Sequence, residues 1–409
     1  MRIAFIWDGN YPWDVRVEKI CLALIKAGHE VHLLCRNTKY QPRQETISGI
    51  HIHRLPTIKY SNTLNRLINF PLFFSPIWYL HISTVLIKDY IDLIIVRDIT
   101  LSLTALRAAK KKRIPVILDM AEPYPEMIRA QHNYENQSVI KKFVRNVKVA
   151  EWIEKQTLKK ASLIFAMVEE SKDRMLAMGI PEQKISIVSN TPDFSKYEGA
   201  RASYPGSMCN HRSKTIFLYV GFLHLFRGLQ VAIRGFRKVV EKNPKAVLVI
   251  VGNGQALEPL KTLSSELRIH NHVIFEGYRH HSLIPDYIAS CDIGIIPHFA
   301  CGLWNNTIPN KLFDYMCMSK PVLSSDTKPV QRILEQEHCG LIYRHTDPFD
   351  FAKMATLLLD RNLRKRLGEN GFTAIEQRYN WRIDSEEMLR DITSLAFSMD
   401  TTKNEDNKS

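Results

Sequence analysis

Short apolar runs alternate along this chain with longer amphipathic stretches. Residues 2–7 predict a buried strand. A loop, DGNYPWD, follows, and residues 15–27 predict a helix capped by Gly28 before a second strand at 31–35. The unit recurs as strand 93–96, helix 101–112 and strand 115–118, then as strand 162–167, helix 170–178 and strand 185–188. Such alternation predicts a parallel, doubly wound sheet, an α/β fold. Ligands bind these sheets beyond the C-terminal strand ends, so Gly9 and Asn10 in the first loop are expected to face a cleft.

Two stretches break the rhythm. Residues 64–90 are apolar and aromatic, with Lys59, Arg66 and Lys88 at their edges. Residues 131–160 read as one long basic helical stretch carrying Lys141, Lys142, Arg145, Lys148, Lys159 and Lys160. Residues 191–213 are polar, rich in turn formers and without apolar period, which predicts a linker. A second α/β unit follows, with strands at 215–220, 246–251, 272–276, 292–297 and 322–324 and helices at 229–241, to about 267, and at 282–289. Helices at 349–360 and 363–378 come next, and Tyr379-Asn380-Trp381 interrupts before a last one at 384–397. The predicted division is 1–190, linker 191–213, second domain 214–378, terminal helix 379–397 and a disordered polar tail 398–409.

Composition adds a compartment and a partner class. With 409 residues, 45% hydrophobic and 24% charged, the chain suffices for two ordinary soluble domains. Its net charge of +14 is uneven: residues 1–205 hold 30 Lys and Arg against 20 Asp and Glu. The basic first half favours phosphorylated ligands, anionic lipid or nucleic acid, and no RNA-reading motif supports the last. Seven scattered cysteines show no CxxC spacing; Cys21, Cys291, Cys317 and Cys339 sit in apolar elements and read as core residues, which suggests a reducing, cytoplasmic compartment. The N-terminal apolar run is too short for a signal peptide, and the longest run, 67–80, is too short for a membrane span and contains two prolines. Its Phe70, Phe73, Phe74, Trp78 and Tyr79 predict either an anchor at an anionic membrane surface or a helix packed under the first domain.

The candidate chemistry concentrates in IIPHFACGLWNNTIPNKLFDYMCMSKPVLSSD, residues 295–326. Thr307 is expected to open a helix whose first turn holds Pro309, Asn310 and Lys311. A helix start beyond a parallel strand offers free N–H groups to an anion, and Lys311 adds a full charge. Asp314, three residues on, shares that face and can accept from neutral hydroxyls. This set suits a sugar nucleotide, with diphosphate at the helix start and ribose one turn in; an ordinary capped helix is the plainer alternative. In LYVGFLHLFRG, Gly221 ends a strand and Arg227 is aimed at the same strand-end region. The Gly252-Asn253-Gly254 run lacks the third glycine of a dinucleotide fingerprint. His280, His281, His298 and His345 have no ligand spacing, so neither a metal nor a cofactor is expected. From the residues alone, the chain reads as a two-domain binder of a phosphorylated ligand in an interdomain cleft.

The order of LYVGFLHLFRG, VLVIVGNGQALEPL, VIFEGYRHHSLIPDYIASCDIGIIP and NTIPNKLFDYMCMSKPVLSSD resembles the family-four retaining glycosyltransferases, from Met1 to about Phe397. The resemblance implies the GT-B fold, two Rossmann-like domains facing across a cleft, with the final helix crossing back to the first domain. It implies an enzyme that binds a nucleoside-diphosphate sugar in the second domain and a glycan or lipid-linked acceptor in the first. Since no aspartates separated by one residue occur to bridge a metal, that enzyme is expected to be metal-independent. By the same resemblance Arg227 matches a diphosphate-binding residue, Asp314 a ribose-binding one, and Gly277 and Tyr278 the loop framing the base. Lys311 joins Arg227 as an expected catalytic group. Gly221, Asn306, Thr307, Asn310 and Leu312 complete the expected donor site; Gly9, Asn10, Asp98 and Glu122 are the expected acceptor side. The chain departs from the family at Asn306, where an acidic residue is usual, at Phe222 in place of a second basic residue, and at Ala121 in place of a histidine. An inactive, sugar-nucleotide-binding partner of another transferase is therefore the alternative, and a sugar-nucleotide epimerase of similar fold a further one.

Overall fold

The computed structural model describes residues 1–12, 14–56, 73–134, 145–197 and 199–406. They form two compact units. The first holds Met1–Ile128, residues 145–190 and the chain from Asp384; the second holds Thr191–Ile383 with residues 129–134.

The first unit is an eight-stranded sheet. Its strands are β1 (Arg2–Asn10), β2 (Glu30–Arg36), β3 (Gln44–Ile47), β4 (Ile50–Arg54), β5 (Leu93–Arg97), β6 (Val116–Met120), β7 (Leu163–Ala166) and β8 (Ile185–Ile187). They lie in the order β3-β4-β2-β1-β5-β6-β7-β8. All neighbours are parallel except β3 and β4, a hairpin turned by Ser48 and Gly49 at φ 51° and 82°. Two positive φ values mark the tight turn that matches strand twist, and a Ser-Gly pair between strand-forming runs is its sequence signal. The hydrophobic pattern alone passes over this hairpin.

The second unit is a six-stranded parallel sheet of β9 (Thr215–Val220), β10 (Ala246–Val251), β11 (Val273–Gly277), β12 (Ile293–Ile296), β13 (Val322–Ser325) and β14 (Gly340–Tyr343). Its order is β11-β10-β9-β12-β13-β14, so the chain reverses direction across the sheet between β9 and β12. Every residue of β10 is buried, as expected of a strand covered by helices on both faces.

Several expectations change. Strand β1 runs to Asn10 rather than ending at Trp7, so Gly9 and Asn10 lie in the strand. Gly9 makes room for the Trp7 indole, which a Cβ would overlap, and Asn10 Oδ1 accepts from Thr38 N at 2.8 Å. The basic stretch contains two described helices, Tyr124–Tyr134 and Val147–Lys160, with 135–144 outside the described residues. Residues 191–213, expected as a linker, pack within the second unit: Met208 is fully buried, and Tyr204 N donates to Ser290 Oγ at 2.9 Å. The last helix, expected to end at 397, runs as Trp381–Asp406, since no glycine or proline interrupts it.

Of the two readings of the aromatic stretch, the packed helix holds for Phe73 and Trp78. Phe70, Lys59, Arg66, Lys141 and Lys142 lie outside the described residues. In the helix Pro76–Lys88, Trp78 is 1% exposed, and Phe73 just before the helix is 8% exposed. Trp78, Ile82 and Val85 follow helical spacing and form its core-facing stripe. These rings belong to the core of the first unit. Among the described residues no helix is long and apolar enough to cross a membrane.

Candidate functional site

The second unit gathers cationic and polar side chains beyond the C-terminal ends of β9, β12, β13 and β14. The loop leaving β9 is held in place by glycines. A Cβ at Gly252 would overlap the carbonyl oxygen of Gly221, and one at Gly254 that of Leu223. The Gly252-Asn253-Gly254 run is thus a place where one backbone is laid on another. Gly228, at φ 72°, ends the short turn Leu225–Arg227 and opens the helix Leu229–Lys242. A side chain there would overlap Pro297 O, so Arg227 is pinned beside the end of β12.

Arg227 stacks its guanidinium 5.2 Å over the Trp304 ring, and Trp304 lies parallel to His298 at 4.0 Å. Lys311 points its ammonium at the Tyr219 ring, 3.9 Å from the centroid. A Cβ at Gly221 would come within 3.1 Å of Lys311 Nζ, so this glycine leaves the cation room. Lys311 Nζ, Arg227 Nε, both His298 ring nitrogens, Trp304 Nε1 and Thr327 Oγ1 are all buried without a hydrogen-bond partner. Buried polar groups are ordinarily paired, and a cluster of orphans rich in donors marks a place built for an acceptor-rich ligand. Burial and then the Arg227 charge push Lys311 well below the usual lysine range, against the pull of Asp314. Burial, helped by Lys311 and Arg227, holds His298 neutral.

The helix carrying Lys311 differs from expectation. It spans Lys311–Cys317, and Thr307 to Asn310 is irregular. Proline disfavours helical geometry in the residue before it, so Ile308 cannot join a helix opened at Thr307. Seven residues make a weak dipole, and the positive charge of the site is a side-chain property rather than a helix-start one. Thr307 is buried and Asn310 exposed. The Leu312 side chain is fully buried in the core and its N–H donates to Pro309 O at 3.0 Å, so neither is open to a ligand. Asn306 Nδ2 donates to Gly302 O at 2.7 Å, closing its own loop.

Asp314 lies partly buried one turn beyond Lys311, where its Oδ1 accepts the Tyr197 hydroxyl. Tyr197 was missed from sequence because it lies in the stretch expected as a linker. At the end of β11, Gly277 adopts φ 68° and Tyr278 is exposed. The preceding Glu276 is buried and accepts from Ser207 N at 2.8 Å, Arg279 Nη2 at 2.8 Å and Tyr287 Oη at 3.0 Å. Burial opposes ionisation of Glu276, but the bonds from Ser207, Arg279 and Tyr287 outweigh it and hold its carboxyl below the usual range.

In the first unit, Asp98 and Glu122 follow β5 and β6. Asp98 adopts φ 57°, a left-handed conformation that aspartate tolerates, and its Oδ1 accepts from Ala121 N at 3.0 Å and Glu122 N at 3.3 Å. Burial raises its carboxyl to about 7; Arg97 opposes this, while Glu122 and Asp119 add to it. The Glu122 side chain is exposed. Behind them Arg97 pairs with Asp14, the cap of the helix Val15–Lys26. Arg16 Nε bridges both oxygens of the fully buried Asp119 at 3.0 Å and its Nη groups donate to Val188 O and Ser189 O. Sequence reading missed Arg16: a lone arginine in a first helical turn carries no local sign of a buried partner 103 positions away.

Comparison with known proteins places both units. Residues 210–374 match the family model of glycosyl transferases group 1, and residues 14–191 that of the glycosyl transferase 4-like domain. An alpha-D-kanosaminyltransferase of Streptomyces kanamyceticus is 22% identical over 233 residues, covering 54% of this chain and 58% of that one. The fold matches sucrose-phosphate synthase from Thermosynechococcus elongatus with a TM-score of 0.76 at 16% identity, over 97% of this chain and 100% of that one. It matches the Anabaena protein HepE in complex with UDP-glucose with a TM-score of 0.71 at 16% identity, over 96% and 100%. These structural neighbours share the GT-B fold.

Proposed function

The chain belongs to the group 1 glycosyl transferases, and on that premise we propose that it moves a sugar, with retention, from a nucleoside-diphosphate sugar to a glycan acceptor held on a lipid. The product would be a surface polysaccharide or glycolipid. One observation carries the reading: Lys311 Nζ, buried and unpaired, shares the strand ends with Arg227. A leaving diphosphate supplies the anion that both lack, and its growing charge in the transition state is what fixed cations stabilise best. In this reading Arg227 and Lys311 grip the diphosphate and Gly221 leaves the space. Asp314, oriented by Tyr197, meets the ribose, while Gly277 and Tyr278 border the base. Asn306, Thr307 and Asn310 line the loop before the Lys311 helix, toward the donor sugar.

The chemistry then asks little of side chains. The leaving phosphate oxygen takes the proton of the attacking hydroxyl on the face it departs from, so that holding donor and acceptor close does most of the work. Asp98, with a carboxyl poised near neutrality, and Glu122 are the acceptor-side groups assigned in the first unit. The UDP-glucose held by HepE supports a uridine donor. A lipid-linked acceptor fits the helix Val147–Lys160, which exposes Lys148, Trp152, Lys155 and Lys159 along one stripe. An exposed tryptophan among lysines suits an anionic cytoplasmic membrane face.

Asn306 favours a second reading. Where the resemblance implies an acidic residue, the amide is bound to its own loop, as in a protein that holds sugar nucleotides without turning them over. Incubation with a panel of nucleotide sugars, with and without lipid-linked acceptor, separates the readings. Transfer supports the enzyme, and binding without turnover under every pairing supports the inactive partner.

A further inference from the structure

Away from these strand ends, the first unit assembles another set of ligating atoms from three separate segments. His32 stands near the start of β2, His53 near the end of β4, and Asp89 follows the helix Pro76–Lys88. His32 Nδ1 lies 3.0 Å from His53 Nε2, and Asp89 Oδ2 lies 4.0 and 3.9 Å from those two nitrogens. Three atoms so spaced share a point about 2.1 Å from each, the length of a zinc bond to imidazole nitrogen or carboxylate oxygen.

The surroundings fit ligands better than a hydrogen-bonded pair. Both histidines are buried, and Asp89 Oδ2 is buried with no hydrogen-bond partner. A bond between the two imidazoles leaves that oxygen stranded, whereas one cation satisfies all three atoms. The outer ring atoms are placed as bound imidazoles require. His32 Nε2 faces Glu30 Oε1 at 3.0 Å, which keeps the proton on Nε2 and the lone pair on Nδ1. His53 Nδ1 faces the Gln44 side-chain amide at 3.4 Å, a group that can turn its oxygen to accept the Nδ1 proton.

We propose that His32, His53 and Asp89 bind one divalent transition-metal ion of the zinc class, with water as fourth ligand. The ion fastens β2, β4 and the end of the Pro76–Lys88 helix to one another. Spacing along the chain could not show it, because the ligands are 21 and 36 positions apart; the parallel pairing of β2 with β4 brings His32 and His53 together, and Asp89 joins them from the end of a helix.

The test uses the full-length chain, stripped with chelator and dialysed against micromolar zinc sulfate. The wild type is expected to retain one zinc per chain, and cobalt(II) in its place to give the visible absorption of a four-coordinate site. Asp89→Asn should weaken zinc binding at least tenfold, and His53→Gln should abolish retention while circular dichroism stays unchanged. A His280→Ala/His281→Ala variant, lacking the exposed pair whose rings lie 4.2 Å apart, should still hold one zinc. Failure of the wild type to retain zinc, wild-type affinity in Asp89→Asn, or loss of the zinc in the His280/His281 variant would overturn the proposal. If His53→Gln does not fold, Asp89→Asn decides.

Discussion

Lys311 holds its ammonium nitrogen 3.9 Å from the centre of the Tyr219 ring and has no hydrogen-bond acceptor. A cation–π contact offsets only part of the desolvation of a buried amine. The folded chain therefore carries an unmet cost at this position, one that a bound anionic ligand would relieve. Lys311→Met keeps the bulk and removes the polar group. It should stabilise the free protein by about 1–3 kcal/mol, the penalty of an unsatisfied buried group. Urea unfolding checks this, and a clear loss of stability would place Lys311 in a structural role instead.

The same geometry couples binding to protons. Burial and Arg227 depress the Lys311 pKa in the free protein, and a diphosphate beside it raises that pKa again. Binding must then take up protons, and affinity must fall as pH rises through the depressed pKa. Calorimetry of a nucleoside diphosphate in buffers of different ionisation enthalpy reads the uptake directly; the Lys311→Met variant should show little of it.

Asp98 gives a prediction of opposite kind. Its carboxyl titrates near 7 in the folded unit against 3.8 for the ordinary side chain, so between those values the native state holds a proton that the unfolded chain has released. Stability should fall as pH rises across that window. Asp98→Asn should flatten this part of the stability profile, measured as urea midpoints from pH 4 to 7. An unchanged slope would mean that the carboxyl is not raised.

Two glycines with similar φ should respond differently. Gly228, at φ 72°, has Pro297 O where a Cβ would go, while Gly277, at φ 68°, has nothing within 4 Å. Gly277→Ala meets only the left-handed strain of about 1 kcal/mol. Gly228→Ala adds a backbone clash, should cost roughly 2–3 kcal/mol or more, and should displace Arg227. Comparing thermal unfolding of the pair checks the assignment of Gly228 to a close approach.

The fold was readable because parallel strands buried on both faces are near-continuous apolar runs. β9 and β10 fall on the residues that the pattern predicts, 215–220 and 246–251. β3 and β4 were missed because their evidence is a turn, Ser48-Gly49, rather than an apolar block. In the site, Arg227 and Lys311 were visible as cations after strands. Their neighbours were not: His298 and Trp304 matter through a stacked geometry, and Tyr197 meets Asp314 across 117 positions. The helix start moves from Thr307 to Lys311 because Pro309, tolerated in a first turn, also keeps Ile308 out of helical geometry.

In the proposed function, Arg227 and Lys311 together hold a diphosphate in the second unit. Titration calorimetry of UDP and of free pyrophosphate into the wild type, Arg227→Ala, Lys311→Ala and Asp314→Ala tests it most directly. Each cation variant should lose about 1.5–3 kcal/mol with both ligands, the worth of a charge-assisted hydrogen bond, whereas Asp314→Ala should lose affinity for UDP alone. UDP and pyrophosphate binding at wild-type strength in both Arg227→Ala and Lys311→Ala would contradict it.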